Sequence, residues 1–478
     1  MRILLTSLLL AVLAGATAVS VSAFGYYQDK EGESLARMML VTGGLWLLFA
    51  LAVFALRRVP LRSAVVLVLV GSVAIGGAAL AGPPNTSTDS ARYAWDGIVQ
   101  NAGISPYEYV PADPILENLR PDWLFPAAST DENGESECRG ERILTSTEVG
   151  SGDVLCTAIN RATVPTIYPP TSEIFFAGVR FIAGSTAEYW PLQVAGLLLS
   201  LGVTVILLRA LHSRGLDPRW AALWGWCPLV ATEGITNSHV DLLGALLILV
   251  ASLLVSRGRR WTGGIALGAA IAVKLIPVIA APALLRRQPW KIIVAAIATF
   301  LVLYIPYILL SGIAVLGYLP GYLTEEGYSS GSRFILLSPF APGGASLVVA
   351  AVLLALTAGL VWWKTDPADP WLGQLVMIGV TLLVVTPRYP WYALLLVPFI
   401  AMTGRWEWLA VPLALTERLL NPSVDVARLS ALVAIAFIIA VSIQRAGPGA
   451  VPRLGRWLRH PLRNDDRATR VPALPDEP

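Results

Sequence analysis

The chain has 478 residues, 55% of them hydrophobic and only 14% charged, with a net charge of +3. That balance excludes an ordinary soluble domain and predicts an all-α polytopic membrane protein. No zinc-ligand spacing, phosphate-binding P-loop or dinucleotide glycine motif occurs, and neither a cofactor nor a nucleic-acid partner is expected.

Residues 4–23 are apolar behind Met1 and Arg2 and read as an uncleaved first helix; the alternative is a leader cut after Val21-Ser-Ala23. A second span covers 37–56. Arg57, Arg58 and Arg62 then form a basic turn that belongs on the cytoplasmic side. Residues 63–82 return outward into the large loop 83–172, which carries 13 acidic and 5 basic residues and suits the outer face. Cys138 and Cys156 lie in its most polar part, so they are expected to pair if the loop meets an oxidising compartment. The stretch around Tyr168-Pro169-Pro170 must be extended, because each proline disfavours helix in the residue before it. Residues 173–183 read as a helix lying at the membrane interface.

Spans 190–211, 220–235 and 242–255 alternate between basic turns, at Arg209 to Arg219 and Arg257 to Arg260, and the polar turn 236–241. Residues 261–285 break the pattern, since Arg257, Arg259 and Arg260 precede them and Arg286, Arg287 and Lys291 follow. Both ends therefore belong on the cytoplasmic side. With Pro277 in the middle, the segment predicts a hairpin of two short arms. An arm of about 12 residues climbs roughly 18 Å against about 30 Å of hydrocarbon, so Lys274 at the tip reaches the outer half. Span 292–310 leads to an outer loop, 311–343. Spans 344–363 and 371–385 follow, then the outer stretch 386–392 and spans 392–402, 406–419 and 429–441. The tail from Arg445 through Arg470 is basic and is expected to rest on the inner leaflet. The total is about thirteen or fourteen membrane helices with both termini cytoplasmic.

Unusual polar residues gather on the expected outer face: Asp89 to Gln100, Asn237 to Asp241, Glu325 to Arg333 and Arg388 to Tyr392. On a helix, Asp89, Arg92, Asp96 and Gln100 share one face. Two readings fit them: a base with an ionic acceptor, or a helix cap followed by an Arg92–Asp96 pair. Blander readings stand beside the other clusters too. His239 and Asp241 end one span and cap the next, Lys274 is a structural plug paired with a carboxylate, and Arg388 and Tyr389 anchor a helix at the interface. Segregation of the clusters to one side argues against a transporter, which needs sites open to both faces and often carries internal repeats.

The motif Asp89-x-x-Arg92-Tyr93-x-Trp95-Asp96-Gly97, followed by Gly103-Ile-Ser-Pro106-Tyr107-x-Tyr109-x-Pro111, resembles the first outer loop of GT-C membrane glycosyltransferases. The resemblance is greatest to bacterial mannosyltransferases that use polyprenyl-phosphate mannose. Tyr168-Pro169-Pro170, Asn237-Ser-His239-Val-Asp241, Val273-Lys274-Leu-Ile-Pro277 and 387–392 recur in the same order. The resemblance covers roughly 63–402 as a GT-C-like core; two extra N-terminal helices (1–62) and the Cys-containing acidic insertion depart from it, and C-terminal helices (403–444) and a basic tail (445–478) follow the core. It further implies that Asp89 is the general base, with Arg92, Tyr93 and Asp96 placing the acceptor. Lys274, His239 and Arg388 would hold the donor phosphate, supported by Asp241, Tyr168 and Tyr389. No metal is implied. The expected reaction is an inverting transfer of mannose, or a related sugar, from a polyprenyl phosphate to a glycan or glycolipid at the outer face of the bacterial plasma membrane. A lipid-linked glycan flippase, or a non-catalytic subunit with the same fold, is the alternative.

Overall fold

A computed structural model describes residues 1–26, 33–130, 132, 134–421 and 423–446. The basic tail expected beyond Arg445 lies almost wholly outside the described residues.

The protein is an all-α membrane bundle. Three long helices open it: α1 (Arg2–Ala23), α2 (Glu33–Leu56) and α3 (Leu61–Ala78). Helix α4 (Asp89–Asn101) follows, then an excursion with two short antiparallel hairpins, β1–β2 (Ser129–Thr130 with Ser136–Glu137) and β3–β4 (Leu144–Thr147 with Val154–Thr157). Helix α5 (Pro170–Ala183) begins on a proline whose fixed φ suits the first helical turn, and it ends at Gly184, where φ is +80°. Next come α6 (Trp190–Ser213), the single turn α7 (Ala222–Gly225), α8 (Asp241–Ser256), α9 (Arg260–Ile271) and α10 (Pro289–Ser311). The chain closes with α11 (Leu319–Glu325), α12 (Gly344–Lys364), α13 (Trp371–Val385), α14 (Val397–Thr403), α15 (Ala410–Leu420) and α16 (Val424–Ala446).

Among the described residues seven helices are long and apolar enough to cross a membrane, and the bent pair Val230–Thr236 and Asp241–Ser256 makes an eighth if it is counted as one span. The other expected membrane segments occur as shorter or broken pieces, because prolines and polar residues interrupt their hydrogen-bond ladders. Residues 220–235 illustrate this: they form two short turns and then a π-helical stretch, Val230–Thr236, set at 111° to α8.

Most of the buried apolar side chains form one core shared by α1–α3, α6–α8 and α13–α15. Trp224 and Trp226 sit fully inside it and donate their indole N–H groups to the Ser200 and Val68 carbonyls, at 3.1 and 3.2 Å. A buried indole keeps its donor satisfied only through such carbonyls. Helix α12, by contrast, presents Val352, Leu356 and their neighbours outward, as a lipid-facing helix does.

Residues 260–288 form a hairpin. Its feet meet where Arg260 reaches the Gln288 side chain at 3.5 Å and Trp261 packs edge-on against Trp290. Helix α9 is one arm, and Gly264 and Gly268 lie directly on the backbone of α10 near Ile292 and Ala296, where no side chain fits. Small residues at this spacing allow such close approach between membrane helices. The other arm is the 3₁₀ stretch Ile276–Leu284, which contains Pro277 and Pro282. At the tip, Ser172 donates to the Val273 carbonyl at 2.7 Å and the Thr171 amide donates to the Ala272 carbonyl at 2.9 Å.

The basic turns collect at the end of the bundle that holds the hairpin feet. Arg219 reaches the Val59 carbonyl at 2.6 Å, Arg214 reaches Ser256 at 2.6 Å, and Arg287 pairs with Asp366 at 3.4 Å.

Candidate active site

At the opposite end, α4, the segment 160–169 ahead of α5, the hairpin tip, α10, α11 and residues 389–392 enclose a cavity of about 580 Å³. Its walls differ in character. Asp89, Arg92, Arg161, Lys274 and Arg333 form the polar side. Leu275, Ile276, Phe300, Leu301, Leu319 and Leu323 contribute to the apolar side. Leu275 and Leu301 are also exposed on the outer surface, so the apolar wall continues to the flank of the bundle.

Asp89 occupies the first position of α4, behind Thr88 as the N-cap. Among the described residues its carboxylate takes one hydrogen bond, from the Tyr168 hydroxyl at 3.3 Å. The side chain keeps 19% of its surface open. Burial of the remainder raises its pKa above the ordinary aspartate value, while the Lys274 charge acts in the other direction. The capping reading therefore does not describe its contacts, because no helix N–H bonds to this carboxylate.

Arg92 and Asp96 do pair, at 2.9 Å and one helical turn apart, and Arg92 also donates to the Val164 carbonyl at 3.0 Å. Asp96 is buried beside Glu173 of α5, which accepts from Gln100 and from Thr166, each at 2.8 Å. Two carboxyls buried side by side repel each other when both are charged. Burial first, and then the Asp96 charge, push Glu173 well above the usual carboxylate range. Tyr93 is wholly buried, stacked on Phe176 at 4.4 Å with Tyr168 edge-on at 5.0 Å. Arg92 reaches the cavity; Tyr93 and Asp96 stand behind its wall.

Lys274 pairs with the buried Asp241 at 2.5 Å and lies over the Tyr168 and Tyr392 rings, at 5.7 and 5.2 Å from their centroids. The pairing with a carboxylate and the place on the cavity wall coexist. His239 is buried and does not line the cavity. Its ring stacks on Trp391 at 3.7 Å, and Trp391 stacks on Tyr389 at 4.5 Å. Arg388 is exposed and points away from the cavity, since Thr386 (φ +42°) and Pro390 turn the strand so that Tyr389, Trp391 and Tyr392 face inward. The cations facing the cavity from its rim are Arg161 and Arg333 instead. Arg161 pairs with Glu325 at 2.7 Å, and Arg333 pairs with Glu326.

Several further polar residues complete the surroundings of the site. Glu233 lies in an apolar run and accepts from the Thr86 hydroxyl at 2.9 and 3.0 Å. An acid within an apolar span is a functional signal by itself. Asn237 holds the entry to α4 in place, its side-chain oxygen accepting from the Asn85 and Thr86 amides at 2.9 Å each. Tyr322 of α11 meets Tyr392 hydroxyl to hydroxyl at 3.0 Å, which ties α11 across the mouth. Cys138 and Cys156 are joined, with Cα atoms 5.3 Å apart, in the excursion beside the site.

Two comparisons find this chain similar to known glycosyltransferases. Residues 166–387 match the model of Glycosyltransferase family 87, a stretch that holds Lys274, His239 and Arg333 but not Asp89. Over 269 residues the chain is 25% identical to a polyprenol-phosphate-mannose-dependent alpha-(1-2)-phosphatidylinositol pentamannoside mannosyltransferase of Mycolicibacterium smegmatis, covering 52% of this chain and 60% of that one. The chain thus spans about three-fifths of the length of the relative it matches. No solved structure matches it.

Proposed function

We propose that the protein transfers mannose, or a related sugar, from a polyprenyl phosphate to a glycan or glycolipid with inversion at the anomeric carbon. The observation that carries this reading is the two-sided cavity. A carboxylate and four cations face it on one side, and an apolar wall leads out to the flank of the bundle on the other. A sugar phosphate on a long isoprenoid chain needs both. The relative's dependence on polyprenol-phosphate mannose supports the donor class, and its phosphatidylinositol mannoside acceptor supports a glycolipid acceptor.

In this mechanism Asp89 takes the proton of an acceptor hydroxyl, whose oxygen attacks the anomeric carbon as the bond to the phosphate oxygen breaks. Charge develops on the departing lipid phosphate, and Lys274, Arg161 and Arg333 are the groups available to stabilise it. Tyr168 holds the base in place. The aromatic side chains of Tyr322 and Tyr389 line the cavity and offer surfaces against which sugar rings stack. The acidic excursion, its disulfide and the basic turns at the far end support placing the cavity on the extracytoplasmic side of the plasma membrane.

The test is transfer by the purified protein from radiolabelled polyprenyl-phosphate mannose to an alkyl mannoside or a phosphatidylinositol mannoside. A product with an α-linkage is expected. Transfer from a nucleotide sugar instead, or vesicle-to-vesicle movement of lipid-linked sugar without a new glycosidic bond, would replace this reading with a different enzyme or with a flippase.

A further inference from the structure

Behind Asp89, on the side away from the cavity, lie two buried groups, His239 and Glu233. Asp89 Oδ2 is 3.7 Å from His239 Nδ1, and His239 Nε2 is 3.4 Å from Glu233 Oε2. The Thr86 hydroxyl donates to Glu233 as well, lying 2.9 and 3.0 Å from its two carboxyl oxygens. The imidazole is fixed in plane by its stack on Trp391. Neither ring nitrogen has a hydrogen-bond partner among the described residues, and both are buried. A buried donor or acceptor left unsatisfied is costly, so the two carboxyls at the ring's edges are its natural partners. Hydrogen bonds in ligand-free sites are often long and tighten when substrate binds.

We infer that His239 and Glu233 are positioning residues that orient the Asp89 carboxylate and keep it ionised. The inference rests on the reading of Asp89 as the base. A carboxylate that is to accept a proton must face an N–H rather than a ring lone pair, which puts the proton on Nδ1. Nε2 then faces Glu233 with one proton between them, held either by the ring or by the acid. Either way Asp89 receives an N–H from behind while its open edge looks into the cavity. The arrangement has the logic of an orienting group behind a ring that fixes the ring's tautomer. It also gives the buried His239 a different task from binding donor phosphate. The charged and titratable groups around the ring are Asp89 from α4, Glu233 from the π-helical turn, Lys274 with its partner Asp241 from the hairpin and α8, and Tyr168 next to Asp89. The remaining face is covered by Trp391 and Tyr389.

The experiment compares His239→Ala, His239→Asn and His239→Gln in the full-length protein. Transfer from polyprenyl-phosphate mannose is measured across pH, beside wild type and Asp89→Asn. Asparagine places its amide nitrogen near the position of Nδ1, and glutamine places it near Nε2. The inference expects His239→Ala and His239→Gln to lose about 50-fold or more in kcat, with donor KM within about twofold, while His239→Asn keeps most of the rate. Loss of the donor to the charged carboxylate should also move the acid limb of kcat/KM in the alanine variant upward by about one pH unit. Asparagine no better than glutamine, or a loss confined to donor KM, would overturn it; the contrast between asparagine and glutamine decides the matter even if the alanine variant does not fold. The parent reading fails separately: in that case Asp89→Asn transfers normally, or wild type makes no glycosidic bond. An inactive Asp89→Asn beside a His239→Ala with unchanged rate and acid limb sinks the positioning role alone.

Discussion

The Lys274 ammonium lies 2.5 Å from Asp241 Oδ2, while Oδ1 of that buried carboxylate has no hydrogen-bond partner among the described residues. The two charges cancel, so the hairpin tip brings a cation to the cavity without leaving a net buried charge. Lys274→Ala strands Asp241, which should cost about 3–5 kcal/mol of stability. Adding Asp241→Asn to that variant should restore most of the stability but not donor binding. Donor affinity should stay weakened by about 10- to 150-fold, corresponding to the loss of a charge-assisted contact. Melting in detergent and donor binding check the two parts. Equal melting of the single and double variants would show that the pair contributes no stability.

Asp89→Asn should fold as wild type does, because no helix N–H depends on the carboxylate. It should lose transfer by about 100-fold or more, since only the basicity is removed. In wild type the base works only when ionised, and burial raises its pKa. The rate should therefore fall as pH drops through a midpoint above the ordinary aspartate value of about 3.9. A pH–rate profile flat down to that value contradicts the assignment.

Glu173 gives a pH dependence of stability. Its pKa is raised in the folded protein, so folding favours the protonated form. The sign follows: this contribution is complete below the unfolded glutamate pKa of about 4.3 and disappears as pH rises through the higher folded value. Glu173→Gln can still accept from Thr166 or Gln100 and donate to Asp96, yet it has no proton to lose. The melting temperature of the variant should thus decline less than that of wild type on going from mildly acidic to alkaline pH. Parallel decline in both proteins would assign the pH dependence to other groups.

The Cys138–Cys156 bond closes a loop whose own residues do not line the cavity. Cys138→Ser should destabilise that excursion by about 2–4 kcal/mol and open the β1–β2 hairpin to proteolysis. Transfer should stay within about twofold of wild type. A large loss of transfer would mean that the excursion shapes the site. Mass mapping without reductant should recover the two cysteines as one linked peptide.

Much of the bundle was legible because charge and hydropathy are written along the chain. The basic turns at Arg57, Arg219, Arg257 and Arg287 do collect at one end, and Lys274 does sit at the tip of a hairpin. Less legible was anything that depends on direction. His239 and Arg388 were expected at the donor phosphate, yet one is buried behind Asp89 and the other is exposed. A left-handed residue at Thr386 and a proline at 390 decide where Arg388 points, and no periodicity reports that. Glu233 was overlooked because a single acid in an apolar run does not disturb the hydropathy average. Glu173 was overlooked because its segment reads as an interfacial helix, whereas its side chain turns inward to Asp96. Arg161 and Arg333 owe their place at the rim to long side chains and to loop geometry, neither of which a linear pattern encodes.

The contact of Gly264 and Gly268 with the α10 backbone also dictates an order of assembly during synthesis. Helix α9 has 12 residues and a length of about 18 Å, too short to cross the bilayer as a span of its own. The surface it needs belongs to α10, which the ribosome delivers later. Until α10 enters the membrane, Gly264 and Gly268 have no backbone to lie on, and α9 is held only from the α8 side, where Gly263 meets Val255 and Ala251. The polar side of the cavity is completed later still, once Arg333 has been made, so α4 and its acidic residues wait for the cations that face them.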